Sequence, residues 1–246
     1  MQSIQRIFLI LAVMLALLCA LGALSSGLGA RMGWWDFRLG FKILKWSVYT
    51  VGISTGLAVL AAVFALVARI GVKDFRYFLV LGIGLIVFGI PYLTAKEFKR
   101  LPTVADAATN IDDPPVFVEL VPVREKTAAN PLAYRRNDAA ELQQQYFPDL
   151  TTLTLNKSQR TVIDDAVAVA KDMGLHVAAY DYEDGRLEAT DTTFWFGFKD
   201  DLVVRVRQQA NDRSQVDIRS ASRVGYLDGG VNAKRVQRFA ELLSKK

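Results

Sequence analysis

Three long apolar runs fill most of the first 95 residues, the third with one charge, Arg76, near its start. They extend from about Ile7 to Leu28, from about Trp46 to Ala68 and from about Phe75 to Leu93. Each has about 20 residues, the length an α-helix needs to cross about 30 Å of hydrocarbon. A helix packed on a soluble core would carry a polar face, and these runs carry none. Trp34, Trp35, Trp46, Tyr77 and Tyr92 stand near the run ends, where rings with a polar edge favour the membrane interface. The pattern predicts a membrane region over residues 1–95 with three transmembrane helices. The first run alone would suit a signal peptide. Its apolar core is long and two more spans follow, so it is read as an uncleaved anchor.

No ionisable residue lies in the middle of a span, which argues against a transporter or proton relay, since those functions keep charges in the bilayer. Gly52 and Gly56 lie four apart on one helical face, and Gly82, Gly84 and Gly89 lie in the third span. Small residues let helices approach closely. The expectation is packing among the three spans; the alternative is a homo-oligomer through Gly52 and Gly56. Pro91 is expected to bend or end the third helix. Three spans place the two ends of the chain on opposite sides. With the N-terminus inside, the cytoplasmic side holds Arg6, Arg69, Lys73 and Arg76, and the other side holds Arg31, Arg38, Lys42, Lys45, Lys96, Lys99 and Arg100. The excess of Lys/Arg favours the reverse orientation.

Charge divides the same way. Residues 1–95 hold eight Lys/Arg and two Asp, while residues 96–246 hold 22 Lys/Arg and 23 Asp/Glu. The net +5 therefore belongs to the membrane-flanking segments. A folded nucleic-acid-binding domain would need a basic face of its own, so no nucleic-acid partner is expected. The only cysteine is Cys19, within the first run, and the only histidine is His176. A structural zinc site cannot be built from them, and no disulfide can form within the chain. No cofactor is expected.

Residues 96–154 read as an irregular wrapping segment rich in proline, with Val116–Val123 as an edge strand and a short helix from about Asn137 to Tyr146, capped by Asn137 or Asp138. Residues 155–246 read as an α+β core. Val162, Ile163, Ala166, Ala170 and Met173 share one helical face, with Ser158 as a cap and Gly174 as a stop. A hairpin turns at Asp184-Gly185, and two alternating strands follow, LVVRVRQ and QVDIRSAS, joined at Asn211-Asp212. A final helix carries Val231, Val236, Phe239, Leu242 and Leu243 on its apolar face, with Asp228 as its cap. The expected fold is an antiparallel sheet of about four strands with two helices on one face.

The densest polar cluster is Asp200 and Asp201, then Arg219, Ser220, Ser222 and Arg223, then Asp228, Gly229, Gly230, Asn232 and Arg235. Arginine presents a planar donor fork that fits a carboxylate, so ion pairing is the available chemistry. In one reading Asp200 and Asp201 pair with Arg219 and Arg223, Asn232 bonds loop backbone, and the glycines shape a tight turn. In the other, the helix start at Gly229-Gly230 joins Arg219, Arg223 and Arg235 to hold an anion. Asp112-Asp113 with Asp200-Asp201 offer carboxylates for a divalent cation, but solvated doublets are commoner. Asp164-Asp165 reads as a solvated face and His176 as a buried or edge residue. Phe194–Phe198 reads either as an aromatic tip touching lipid or a partner, or as half core.

The phrases FKDDLVVRV and VDIRSASRVGYLDGGVNAKRVQRF, with Tyr146–Leu150 before the first helix of the core, resemble the bacterial domain-of-unknown-function family 1499 over about residues 100–244. The resemblance supplies a domain and no reaction. It implies a domain exported from the cytoplasm, here the periplasmic face of a bacterial inner membrane. Many members carry a Cys pair near the domain start, where this chain has Thr109–Asp113 and no cysteine. The expected function is a non-enzymatic membrane protein whose exported domain binds an anionic lipid, a glycan or an envelope protein. The alternatives are a metal-dependent hydrolase of an envelope phosphoester or glycan using Asp200 or Asp201, and a structural subunit of a membrane complex.

Overall fold

The computed structural model describes residues 2–69, 72, 74–100, 105–134, 136–225 and 228–246, without the side chains of 2 and 136–139. The chain divides into two compact units. One comprises residues 1–96 with 194–197, the other residues 97–193 with 198–246.

The first unit is built on three helices: α1 (Gln2–Arg31), α2 (Phe37–Val67) and α3 (Phe75–Phe98). All three are long and apolar enough to cross a membrane. Each outruns its apolar sequence run at one end or both, because interfacial polar residues continue the helix. α2 starts where the Asp36 carboxylate accepts the Arg38 N–H. α3 passes through Pro91 and ends at Phe98, so the proline does not stop it. The lost N–H costs one hydrogen bond, which a long membrane helix tolerates.

Small residues form the helix seams. Leu9, Ala12 and Ala16 of α1 pack with Ala58 and Ala61 of α2 and with Tyr77 and Val80 of α3. Ser54 donates to the carbonyl of Ala12 at 2.7 Å, and Gln5 donates to the Tyr77 hydroxyl at 2.8 Å. The glycines act less than expected. A Cβ at Gly84 would come within 2.9 Å of the Thr55 hydroxyl, but Gly52, Gly56, Gly82 and Gly89 face open space. Alanine, serine and two other glycines, Gly22 against Ser47 and Gly40 against the Ser26 carbonyl, let α1 and α2 approach, not the Gly52/Gly56 pair.

The second unit is an α+β domain. Its elements are β1 (Asp106–Ala108), α4 (Val121–Thr127), α5 (Arg136–Tyr146), β2 (Leu153–Leu155), α6 (Gln159–Asp172), β3 (His176–Asp181), β4 (Arg186–Thr192), β5 (Lys199–Gln209), β6 (Arg213–Ser222) and α7 (Val231–Leu243). Among the described residues the sheet has six strands, where about four were expected. Its order is β1-β6-β5-β4-β3, with β2 also paired to β6, and every pairing is antiparallel. The two extra strands are three-residue pieces that borrow order from the long β6. They come from the segment expected to be irregular.

Strand alternation decides which side chains meet the helices. Leu187, Ala189, Leu202, Val204, Val206, Val216 and Ile218 face α6 and α7 and pack with Val162, Ile163, Ala166, Val236 and Phe239. Two helices thus cover one face, as expected. Phe117, Leu120 and Val121 cover part of the other face at Val203 and Ala221. The expected edge strand at Val116–Val123 is absent. The chain is irregular there until α4 begins at Val121, with Pro122 in its first turn.

Local signals hold well in the core. The Ser158 side chain accepts the Thr161 N–H, and Gly174 takes a positive φ of 76° after α6. Gly185 sits at φ 61° between β3 and β4. Asn211 and Asp212 turn β5 into β6 with φ of 61° and 51°. The expected caps Asn137 and Asp138 lie outside the described side chains.

Candidate functional site

The eleven polar residues singled out by sequence lie on two opposite faces of the sheet. The register pairs Asp200 with Ser222, Asp201 with Ala221 and Val203 with Arg219. Neighbours along a strand point to opposite sides. Asp200, Ser220 and Ser222 therefore share the α7 side, while Asp201, Arg219 and Arg223 share the other. The three arginines proposed to converge on one anion do not meet.

On the side away from α7, Asp201 is fully buried and holds two arginines. Arg223 donates from Nε and Nη2 to its two oxygens at 2.9 and 2.8 Å. Arg124 of α4 donates from Nη1 at 2.8 Å, and Thr190 donates its hydroxyl at 2.7 Å. Arg219 forms a second fork, onto both oxygens of Asp106 at 2.8 and 2.7 Å. It also donates to the carbonyls of Pro115 and Leu132. The Phe117 ring lies against both guanidiniums, 4.9 Å from Arg124 and 5.2 Å from Arg219. Beside it, the buried Glu188 carboxylate accepts the backbone N–H groups of Val118, Glu119 and Leu120. Those interactions hold the 115–124 segment on the sheet.

On the α7 side, Arg235 donates to Asp200 and Asp191, both at 2.8 Å. It also donates to Ser220 and to the Asn232 carbonyl oxygen. Asn232 donates onward to the Ser222 hydroxyl at 2.8 Å. Asp228 accepts the N–H groups of Gly230 and Asn232, each at 2.9 Å. The N-cap of α7 is Gly230, not the expected Asp228, which reaches the helix start from two residues before it. Gly229 and Gly230 take φ of 62° and 73°, which lets Asp228 fold back over the helix start. The amides that would receive an anion there already hold this carboxylate.

Sequence reading held both partners of Asp201–Arg223 and of Asp200–Arg235 but missed Asp106, the partner of Arg219. Arg124, Asp106, Thr190 and Asp191 complete the network. Asp106 lies 113 positions from its partner Arg219, and Arg124 lies 77 from Asp201. No local pattern announces such pairs. The one usable signal was strand alternation, which already separates Asp200 from Asp201.

Other carboxylates are also engaged. Asp164 accepts the Tyr182 hydroxyl and Asp165 pairs with Lys157, so the mid-helix doublet is not simply a solvated face. His176 is an exposed residue at the start of the edge strand β3. Among the described residues no group of three or more His, Cys, Asp or Glu has metal-site geometry. Asp113 contacts Arg207 and Arg205. The Arg207 hydrogen bond, with help from Arg205, holds the Asp113 carboxyl below the ordinary aspartate value of 3.8. Its folded pKa is the lower one, so its stabilisation is present above the unfolded pKa and is lost as pH falls through the folded pKa. The side chain is well exposed, so the effect is small. Asp113→Asn is expected to melt slightly below the native chain near neutrality, with the gap closing in strong acid. A gap independent of pH would contradict this assignment.

A cleft of about 420 Å³ opens between the end of β1, α5 and residues 147–152. Thr109, Asn110, Gln143, Gln144, Thr151 and Thr152 supply hydroxyls and carboxamides, and Ile111, Phe147, Pro148 and Leu150 supply apolar surface. Asp112 is the only ionisable side chain in the lining. Gln143 is fixed by a double hydrogen bond to the backbone of Ala108, donating at 2.7 Å and accepting at 2.9 Å. Gln144 and Thr151 are exposed.

A family profile described as protein of unknown function DUF1499 matches residues 106–243. The chain belongs to that family. The DUF1499 match begins at β1 and ends with α7, so it takes in both faces of the charged network and the cleft. No curated protein matches the chain. Within this DUF1499 domain Thr109–Asp112 form one wall of the cleft.

Proposed function

We propose that this chain is a membrane-anchored, non-catalytic binding protein whose DUF1499 domain is displayed outside the cytoplasm. One observation carries the reading: each signature arginine is buried against a carboxylate of the same domain. Arg124, Arg219, Arg223 and Arg235 face Asp106, Asp191, Asp200 and Asp201, four charges against four. Removing such charges from water is costly unless they are paired, and pairing neutralises the charge that a free anion would need. The same pairing argues against Asp200 or Asp201 as a nucleophile or metal ligand, since arginine donors occupy their oxygens.

The network therefore acts as a rigid frame and the cleft as the ligand site. Its volume falls within the roughly 300–1,000 Å³ of small-molecule sites. Its lining carries one carboxylate, Asp112, and no cation, which disfavours a phosphate or an acid, and its hydroxyls and carboxamides suit a molecule rich in hydroxyl or amide groups, such as a glycan. Display outside the cytoplasm follows the family resemblance; the Lys/Arg count of the loops points the other way by three residues.

The test uses the full chain in lipid nanodiscs, with neutral oligosaccharides as probes and inorganic phosphate as the anionic comparison. Binding of the neutral probe is expected to weaken about tenfold in Gln144→Ala with Thr151→Val, the loss of one or two hydrogen bonds. The melting temperature should not move, since both side chains are exposed. Phosphate binding that depends on Arg235, or neutral-probe binding unchanged in the double variant, would overturn the assignment.

A further inference from the structure

Four residues of the strand-bearing half of the sequence group with the membrane helices. Phe194–Gly197, from the connection between β4 and β5, belong to the helical unit. Their packing there is close. The Phe196 ring stacks on Phe41 of α2 with centroids 4.6 Å apart. The Trp195 indole lies so near Gly27 of α1 that a side chain at that position would clash with it. Arg31, the last residue of α1, donates to the Phe194 carbonyl, and its guanidinium lies 5.7 Å from the centre of the Phe194 ring. Gly197 takes a φ of 68° next to Arg31, which lets the chain turn away.

The same end of the helical unit exposes large apolar side chains. Phe194 is 84% exposed, and Met32 and Trp34 are more than half exposed. Cations stand beside rings there: Arg31 over Phe194 and Arg38 over Phe37. Aromatic rings paired with long basic side chains suit the headgroup layer, where a ring meets acyl chain and a cation reaches phosphate. An 84%-exposed phenyl ring held by a cation at the end of a membrane helix matches that chemistry.

We propose that the Phe194–Gly197 tip is a fourth membrane contact of this chain, inserting Phe194 at headgroup depth into the bilayer that α1–α3 cross. Its partner is the phospholipid leaflet at the α1–α2 turn. The surface is continuous with the lipid-facing helices, and its rings and cations complement that layer. The proposal does not depend on the cleft.

The experiment places a nitroxide label at Phe194→Cys in a Cys19→Ser chain reconstituted in phosphatidylcholine–phosphatidylglycerol vesicles. Collision with oxygen and with a water-soluble nickel chelate reports depth. Leu18→Cys, on the exposed face of α1, is the lipid control, and Glu183→Cys, in the exposed β3–β4 turn, is the aqueous one. The label at 194 is expected to favour oxygen over nickel, between the two controls and on the lipid side. A label that behaves like position 183 would overturn the proposal. So would one shielded from both agents, which would mean that protein, not lipid, covers the tip. Phe194 is exposed and contacts Arg31 through its backbone carbonyl, so the cysteine keeps that hydrogen bond.

Discussion

Replacing Asp201 by Ala is expected to destabilise the DUF1499 domain by about 3–5 kcal/mol, the usual cost of removing one partner from a buried ion pair. Asp201 is fully buried and serves both Arg223 and Arg124. Its loss leaves two guanidiniums below the surface with only neutral acceptors: the Thr190 and Thr127 hydroxyls and the carbonyls of Ala221 and Ser222. Arg124 is also the anchor of α4, so that helix should detach from the sheet. For a domain of this size the melting temperature would fall by roughly 6–20 °C. Hydrogen exchange at α4 and at the Ser222 end of β6 should rise first. A frame and a binding site respond differently to a wholly apolar replacement. Asp201→Leu with Arg124→Met and Arg223→Met removes all three charges together, and such exchanges are often neutral or stabilising. Recovery of much of the lost stability is expected for a frame. A native melting temperature in Asp201→Ala would show that the pair does not hold the domain together.

Arg219→Ala is expected to be of similar size, about 3–5 kcal/mol, through a different element. Arg219 links β6 to β1 through the fork onto Asp106, and to residues 115 and 132 through their carbonyls. It also lies between the rings of Phe117 and Tyr134, at 5.2 and 5.6 Å. Truncation would leave Asp106 buried without its fork, two carbonyls without this donor and the Phe117 and Tyr134 rings without this cation. Arg219→Lys keeps the charge but not the planar fork, so it should restore less than half of the loss. Equilibrium unfolding of the three proteins in the same detergent gives the comparison. If Lys restores full stability, charge alone matters and the fork geometry is dispensable.

The spans, α6, both hairpins and α7 were legible because each rests on local periodicity and on turn or cap residues. Gly174, Gly185 and Ser158 mark their boundaries directly. β1 and β2 were not legible. Three residues carry no period, and Asp-Ala-Ala becomes a strand only because β6 has a free edge there. α4 was hidden by Pro122, which reads as a breaker but stands in the first turn, where no N–H is needed. The buried face of α7 was half legible. Val236 and Phe239 follow the apolar stripe, yet Asn232 and Arg235 are buried with them to meet Ser220, Asp200 and Asp191. For the polar cluster, sequence gave the residues and not their grouping. Adjacent letters such as Arg219-Ser220 look like one site and stand on opposite faces. The cleft had no signature at all, since its hydroxyls and carboxamides come from three separated segments.

The central claim is that a three-span anchor displays this domain outside the cytoplasm, where a ligand rich in hydroxyl or amide groups can reach its cleft. Cys19 is the only cysteine, so a Cys19→Ser chain with a cysteine appended after Lys246 carries one reporter. Cells making this protein are treated with a membrane-impermeant thiol reagent, intact or after opening an outer membrane where there is one, with permeabilised cells as the control. Labelling before permeabilisation is the expected result and places the domain outside. Labelling only after permeabilisation would place it in the cytoplasm, as the Lys/Arg count of the loops suggests, and would contradict the account.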